Sequence, residues 1–188
     1  GGHASTVVAD DGSGACGIAF RFDDVHDGTR VVLAAGRPDG KRRLRARIDH
    51  LLLASVLGEA ARTHLIGYDT KADATVEVVY AGFDRDAARA ALDALLALWR
   101  EGQAVPLPFA PKSAYAYAAA WQAKPDAAAA WKAAWAAYAP HQYNGEREDR
   151  WLRLAFRPHG LLGDFEDATG RRFRTIATQV FAAREPSP

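Results

Sequence analysis

The chain has 188 residues, 49% hydrophobic and 25% charged, enough to bury roughly two-thirds of its unfolded surface as one soluble globular domain. A formal net charge of +1 means that any affinity for nucleic acid has to come from local clustering. A single cysteine, Cys16, excludes an internal disulfide and a cysteine-based zinc site, and no run approaches the ~20 apolar residues of a membrane span. Nor does a charged segment lead into an apolar core as in a signal peptide. With no Met and an opening Gly1-Gly2-His3-Ala4-Ser5, the chain is expected to be a fragment of a longer, cytoplasmic protein.

Residues 1–16 are rich in Gly, Ser and Asp and are expected to be flexible, apart from a short strand at Ser5–Val8. Gly12-Ser13-Gly14-Ala15-Cys16-Gly17 leads into a strand, whereas phosphate-cradling glycine loops open a helix. Ile18, Phe20 and Phe22 alternate with Ala19 and Arg21, the period of a half-buried strand. Asp27-Gly28 signals a hairpin turn. Val31–Ala35 is apolar without alternation, which predicts a central strand covered on both faces. After Gly36–Gly40 the period changes, and Leu44, Ile48, Leu51, Leu52 and Ser55 share one face of a helix. Thr63–Tyr68 and Thr75–Tyr80 read as strands joined through Lys71–Ala74, giving a β-β-α-β-β order on one sheet.

Asp84 is placed to cap the next helix, whose buried face is Ala88, Ala91, Leu92, Leu95, Leu96 and Trp99, ending at Gly102. Pro106, Pro108 and Pro111 force an extended segment, after which Ser113 caps a helix. Pro125-Asp126 divides the alanine-rich stretch 118–139 into two helices, Asp126 capping the second. Trp131, Trp135 and Tyr138 form an aromatic stripe, read as packing in preference to a base-stacking platform. Tyr143–Asp149 is a polar loop, and Trp151–Phe156 is an edge strand or a short helix. A last helix is expected over about Asp164–Ala183, with Phe165 and Phe173 among its apolar members and weakened or divided at Gly170. Beyond the flexible 1–16, residues 17–188 are expected to form one domain.

Arg37, Lys41, Arg42, Arg43, Arg45 and Arg47 are the densest positive cluster and the candidate nucleic-acid-binding residues, acting through phosphate contacts without sequence preference. The competing reading is a solvated helix face offset by Asp39, Asp49 and Glu59. Asp23, Asp24, His26 and Asp27 match no metal motif and sit where a turn favours Asp. His141 with Glu146 lacks a nucleophile at useful spacing, and His64 and His159 stand alone. No catalytic residue, metal or cofactor is assigned.

The strand–turn–strand–loop–helix order over Gly17–Leu57 resembles the core of PD-(D/E)xK nucleases. In those enzymes the first strand carries a metal-binding Asp, and the second ends in Asp/Glu-x-Lys, with the metal activating water. Here Phe20 stands at the expected first acid and Ala34-Ala35-Gly36 at the expected carboxylate and amine. The implied fold class is α/β (α+β), a PD-(D/E)xK nuclease-like mixed sheet flanked by helices, with a helical C-terminal half and its chemistry removed.

Three stretches, RLRARIDHLLLAS, PLPFAPKSAYAYA and GEREDRWLRLAFR, the last followed by a terminal helix with a late Val-Phe, resemble the C-terminal part of the RecC family over about residues 17–183. That family is the gamma subunit of exodeoxyribonuclease V, the bacterial RecBCD helicase–nuclease. The resemblance implies an inactive nuclease-like domain of a non-catalytic subunit. Such a subunit docks RecB and RecD and lies where entering duplex DNA is split. Recognition of the Chi sequence belongs to the family's helicase-like domains and is not assigned to these residues. Two other readings stand beside it. One is a metal-dependent PD-(D/E)xK DNA nuclease whose acids have migrated to Asp23, Asp24 or Asp39. The other is a pure protein-interaction module that docks through the aromatic–alanine helices.

Overall fold

The computed structural model describes residues 3–10, 14–139, 145–156, 162 and 168–181. By its internal packing the chain forms two compact units. One is built on the residues up to Pro38 and on Arg42–Gln103, the other on Asp39–Lys41 and Ala104–Ala183.

In the first unit, β1 (His3–Asp10) and β2 (Ala15–Phe22) form a two-stranded antiparallel sheet, with Val7 opposite Ile18. The expected flexible stretch 1–16 therefore contains a strand longer than Ser5–Val8. A second, four-stranded sheet has the order β3 (Val25–His26), β4 (Thr29–Leu33), β5 (Arg62–Asp69), β6 (Ala74–Tyr80). Its neighbours run antiparallel, parallel and antiparallel in turn. The parallel pair β4–β5 is bridged by α1 (Gly40–Leu57), as a crossover requires. This mixed sheet flanked by helices is consistent with a PD-(D/E)xK-like architecture.

Two sequence expectations are corrected here. The strand carrying Phe20 does not pair with β4, so the expected single sheet is two sheets. Asp27 (φ +47°) and Gly28 (φ +75°) make a two-residue turn with both residues left-handed, but only Val25 and His26 use it. The chain bends at Asp23, and β2 instead takes an eight-residue ladder with β1. Second, β4 alternates, with Val31 49% and Leu33 79% exposed. Only its other face, through Val32 and Ala34, packs on Ala46, Leu65, Val78 and Tyr80.

The predicted α1 face is buried at Leu51, Leu52 and Ser55 and half-buried at Leu44 and Ile48, but Leu53 and Ala54 are buried too, so this part of the helix is enclosed on more than one face. Leu51, Leu52, Leu53 and Ala54 are buried against Val7, Phe22, Val25, Phe83, Ala88 and Leu92, each leucine contributing about 1.5–3 kcal/mol relative to exposure. Asp84 caps α2 (Arg85–Ala104) by accepting the Ala87 N–H at 2.7 Å. Trp99, expected inside, is 59% exposed, while Leu96 and Leu98 of the same helix are buried, so the buried face turns away from Trp99. Close to the end of β4, the Ala34 N–H donates to Ile66 O (2.8 Å) and the Tyr68 N–H to Gly36 O (3.2 Å). These bonds hold the backbones so close that a Cβ on Gly67 would lie 2.3 Å from Gly36 O.

The described elements of the second unit, apart from the first residues of α1, are helical. They are α3 (Pro111–Ala123), α4 (Ala127–Tyr138), α5 (Arg150–Ala155) and α6 (Ala168–Val180). Ala110, Ala114, Ala118, Ala130 and Ala134 are buried, so small side chains let α3 and α4 approach closely. Phe173 meets Tyr117 (6.1 Å, 81°) and Trp131 (5.8 Å, 86°) edge-on, so Trp131 packs inward, Tyr138 is buried and Trp135 remains exposed. Asp126 caps α4 through the Ala129 N–H at 3.0 Å. Ser113 is not the cap of α3; Pro111 opens the helix and Ser113 is buried within it. The Glu146 carboxylate does the capping, accepting from Lys112 N (2.9 Å), Ser113 N (2.8 Å) and Ser113 Oγ (2.6 Å). Trp151–Phe156 is helical over α5, with Asp149 accepting the Trp151 and Leu152 N–H groups. Gly170 lies inside α6 without dividing it. Phe165 and both expected ends of that helix fall outside the described residues.

Candidate nucleic-acid interface

The basic residues follow from the loop after β4 and the opening turns of α1. The first turn of α1 carries no acidic residue, so the positive end of the helix dipole reinforces the local charge. Arg42 and Arg45 are exposed on the helix. Arg37 is exposed in the loop and pairs with Asp69 at 3.3 Å. The Asp69 carboxyl is held below its ordinary range, first by the Lys71 N–H and, among smaller causes, by Arg37. Arg43 is half-buried, its Nε donating to Pro38 O at 3.2 Å. Lys41 is exposed and is grouped with the second unit. Arg47 departs from the expectation, being only 6% exposed. It sits one turn before the buried face at Leu51 and points away from the solvent the other arginines share. In the first unit the surface-facing part of the cluster is thus Arg37, Arg42 and Arg45, with Arg43 behind them.

Several acids near β4 are held by arginine. Arg30 Nε bonds both Asp24 oxygens (3.0 and 3.1 Å), its Nη1 bonds Asp49 Oδ2 (2.6 Å), and its guanidinium lies 4.4 Å over the Phe22 ring. Asp23 pairs with Arg21 at 2.8 Å. In the second unit Asp39 lies 3.6 Å from the Lys112 ammonium. Among the described residues no three His, Cys, Asp or Glu side chains stand together in a way that could hold a metal ion. The migrated-acid reading gains no support from this geometry. Arg30 was not singled out from sequence and Asp49 entered only as an offset to the basic run, although a charged residue beside apolar Val31–Leu33 in a strand demands a partner.

His50 was also missed. It is wholly buried on α1, with Nδ1 3.2 Å from Thr63 Oγ1, and lies against Tyr80 and Phe83. Its Nε2 has no partner among the described residues. Burial, and secondarily the Arg47 charge, lower its pKa from 6.5 to about 4. His64 lies on β5 with its Nδ1 2.6 Å from Glu77 Oε1. His141 and His159 lie outside the described residues.

Residues 7–122 match the family model described as the RecC C-terminal domain. The chain belongs to that family. The match takes in the second half of β1, the other strands of both sheets, α1, α2 and nearly all of α3. Of the stretches that carry the resemblance, RLRARIDHLLLAS and PLPFAPKSAYAYA fall within it and GEREDRWLRLAFR beyond it. No curated protein matches the chain. In this family member the end of β4 runs into Ala34-Ala35-Gly36, which carry neither a carboxylate nor an amine. The family supports an architectural role and an association with RecBCD components.

Proposed function

We propose that this chain is a non-catalytic architectural domain of a bacterial helicase–nuclease complex for DNA double-strand-break repair. In this reading it works in the cytoplasm, docks RecB and RecD, and guides DNA near the point of strand separation without cutting it. The observation that carries the proposal is the juxtaposition on one βαβ crossover. A strand end without acid or amine leads directly into exposed Arg37, Arg42 and Arg45, in a chain of the RecC C-terminal domain family. Guanidiniums on a helix start suit phosphate contacts that are salt-sensitive and indifferent to sequence. Lys41, Arg43 and Arg47 complete the proposed basic run, Arg43 and Arg47 by shaping the helix more than by reaching a strand.

The test is incubation of the chain with labelled duplex and single-stranded DNA at low salt, with Mg²⁺, Mn²⁺ or EDTA. Binding and cleavage are read from the same samples. Weak binding that salt abolishes, no cleavage, and loss of binding in Arg42→Gln/Arg45→Gln are expected. Metal-dependent cleavage that disappears in Asp23→Ala/Asp24→Ala would overturn the proposal and make the chain an enzyme. Co-purification with RecB and RecD checks the docking part separately.

A further inference from the structure

The first unit carries a second cationic feature, away from the run on α1. A cleft of about 560 Å³ lies between β1, the end of α1 and the start of α2, lined among others by Ser5, Thr6, Ser55, Arg85 and Arg89. Arg85 and Arg89 are four residues apart on α2 and therefore share one face. Both are exposed, and among the described residues neither guanidinium has an ion pair or hydrogen bond. Arg21, Arg30 and Arg37, by contrast, all meet carboxylates. The stem of Arg85 runs past the turn at Gly58, where a Cβ would lie 3.5 Å from its Cγ. Asp84, the acid beside it in sequence, turns its carboxylate onto the Ala87 N–H, and Asp86 is exposed without lining the cleft.

The opposite wall is a strand edge. Among the described residues β1 pairs only with β2, so alternate N–H groups along its other edge remain as donors where Ser5 and Thr6 line the cleft. Ser55 contributes no donor, since its hydroxyl is committed to Leu52 O at 2.6 Å. Two guanidiniums without a partner among the described residues, in a cleft whose described lining holds no carboxylate, match the oxyanions of phosphate.

We propose that this cleft holds the phosphodiester backbone of a nucleic-acid strand, as a second contact distinct from Arg37, Arg42 and Arg45. The inference rests on the DNA-guiding reading and extends it to a second position on the same unit. Fluorescence anisotropy with a labelled single-stranded oligonucleotide, titrated from 50 to 200 mM salt, tests it on the full chain. Arg85→Gln/Arg89→Gln is expected to weaken binding by ~10-fold and to reduce the slope of log affinity against log salt by about 1.4, the share of two phosphate contacts on a single strand. Arg85→Lys/Arg89→Lys retains both charges and is expected to keep the slope. Circular dichroism confirms that each variant folds. Unchanged affinity and slope in Arg85→Gln/Arg89→Gln, with binding lost in Arg42→Gln/Arg45→Gln, would overturn the cleft and leave the DNA-guiding reading standing. No binding by the unaltered chain to single-stranded or duplex DNA would overturn both.

Discussion

His50 makes the stability of the first unit depend on pH in a calculable way. Its imidazole is wholly buried, bonded once to Thr63 Oγ1, and its pKa falls from 6.5 to about 4. Between those values the unfolded chain binds a proton that the folded chain refuses, so stability rises with pH there and is lost as pH falls. The stabilisation is fully present above pH 6.5 and declines towards pH 4. The total is about 3 kcal/mol, and the loss between pH 7 and pH 5 is about 2 kcal/mol. The perturbation is His50→Gln, which keeps a polar partner for Thr63 but cannot titrate. Native-state hydrogen exchange at the Leu65 amide of β5 reports the opening free energy of this unit at each pH, once intrinsic exchange is corrected. The unaltered chain is expected to lose about 2 kcal/mol more than the variant between pH 7 and pH 5. An NMR titration of the ring carbons of His50 should place its midpoint near 4. A midpoint near 6.5, or the same pH slope in His50→Gln, would refute the reasoning.

Other contacts yield equally definite outcomes. Arg30→Met removes the charge that holds Asp24 and Asp49 and sits over Phe22. It should destabilise the first unit by about 2 kcal/mol, a figure reduced from that of a fully buried pair because the groups touch solvent. Urea unfolding followed by exchange of β4 amides measures it. Glu146→Ala deprives α3 of its three accepted bonds and should cost about 1–2 kcal/mol, with the Lys112 and Ser113 amides the first to lose protection. Gly67→Ala places a methyl 2.3 Å from Gly36 O, backbone that cannot yield cheaply, and should cost about 2 kcal/mol or more, read as a lowered urea midpoint.

Local signals in the sequence were reliable guides, and partnerships across the chain were not. The periodicity of α1, the caps Asp84 and Asp126, the break at Pro125 and the strands β5 and β6 each depend on neighbours within a turn or a hairpin. The pairing of β2 with β1 depends on competition between two candidate partners, which alternation in Ile18–Phe22 cannot decide. The burial of Arg47 likewise reflects which helix face meets the core, and a run of basic residues masks that. Glu146 reaches the start of α3 from a distant loop, and Arg30 reaches Asp49 across 19 residues. Ser113 carried the right cap chemistry by type, but Pro111 moved the helix start ahead of it.

The same arginine chemistry bears on what this scaffold has become. In a metal-dependent nuclease of this plan, carboxylates near the central strands must be free to bind a cation. Around β4 four acids are instead engaged by guanidiniums: Asp24 and Asp49 by Arg30, Asp23 by Arg21 and Asp69 by Arg37. Each of these pairs uses for cohesion an acid that metal chemistry would need. Arg42 and Arg45 of α1 and Arg85 and Arg89 of the α2 cleft are exposed, and in the proposed reading they are the groups that meet a polyanion. A strand end of Ala34, Ala35 and Gly36 adds neither charge nor reactive atom. In the proposed reading, such an end lets a strand pass without attacking it.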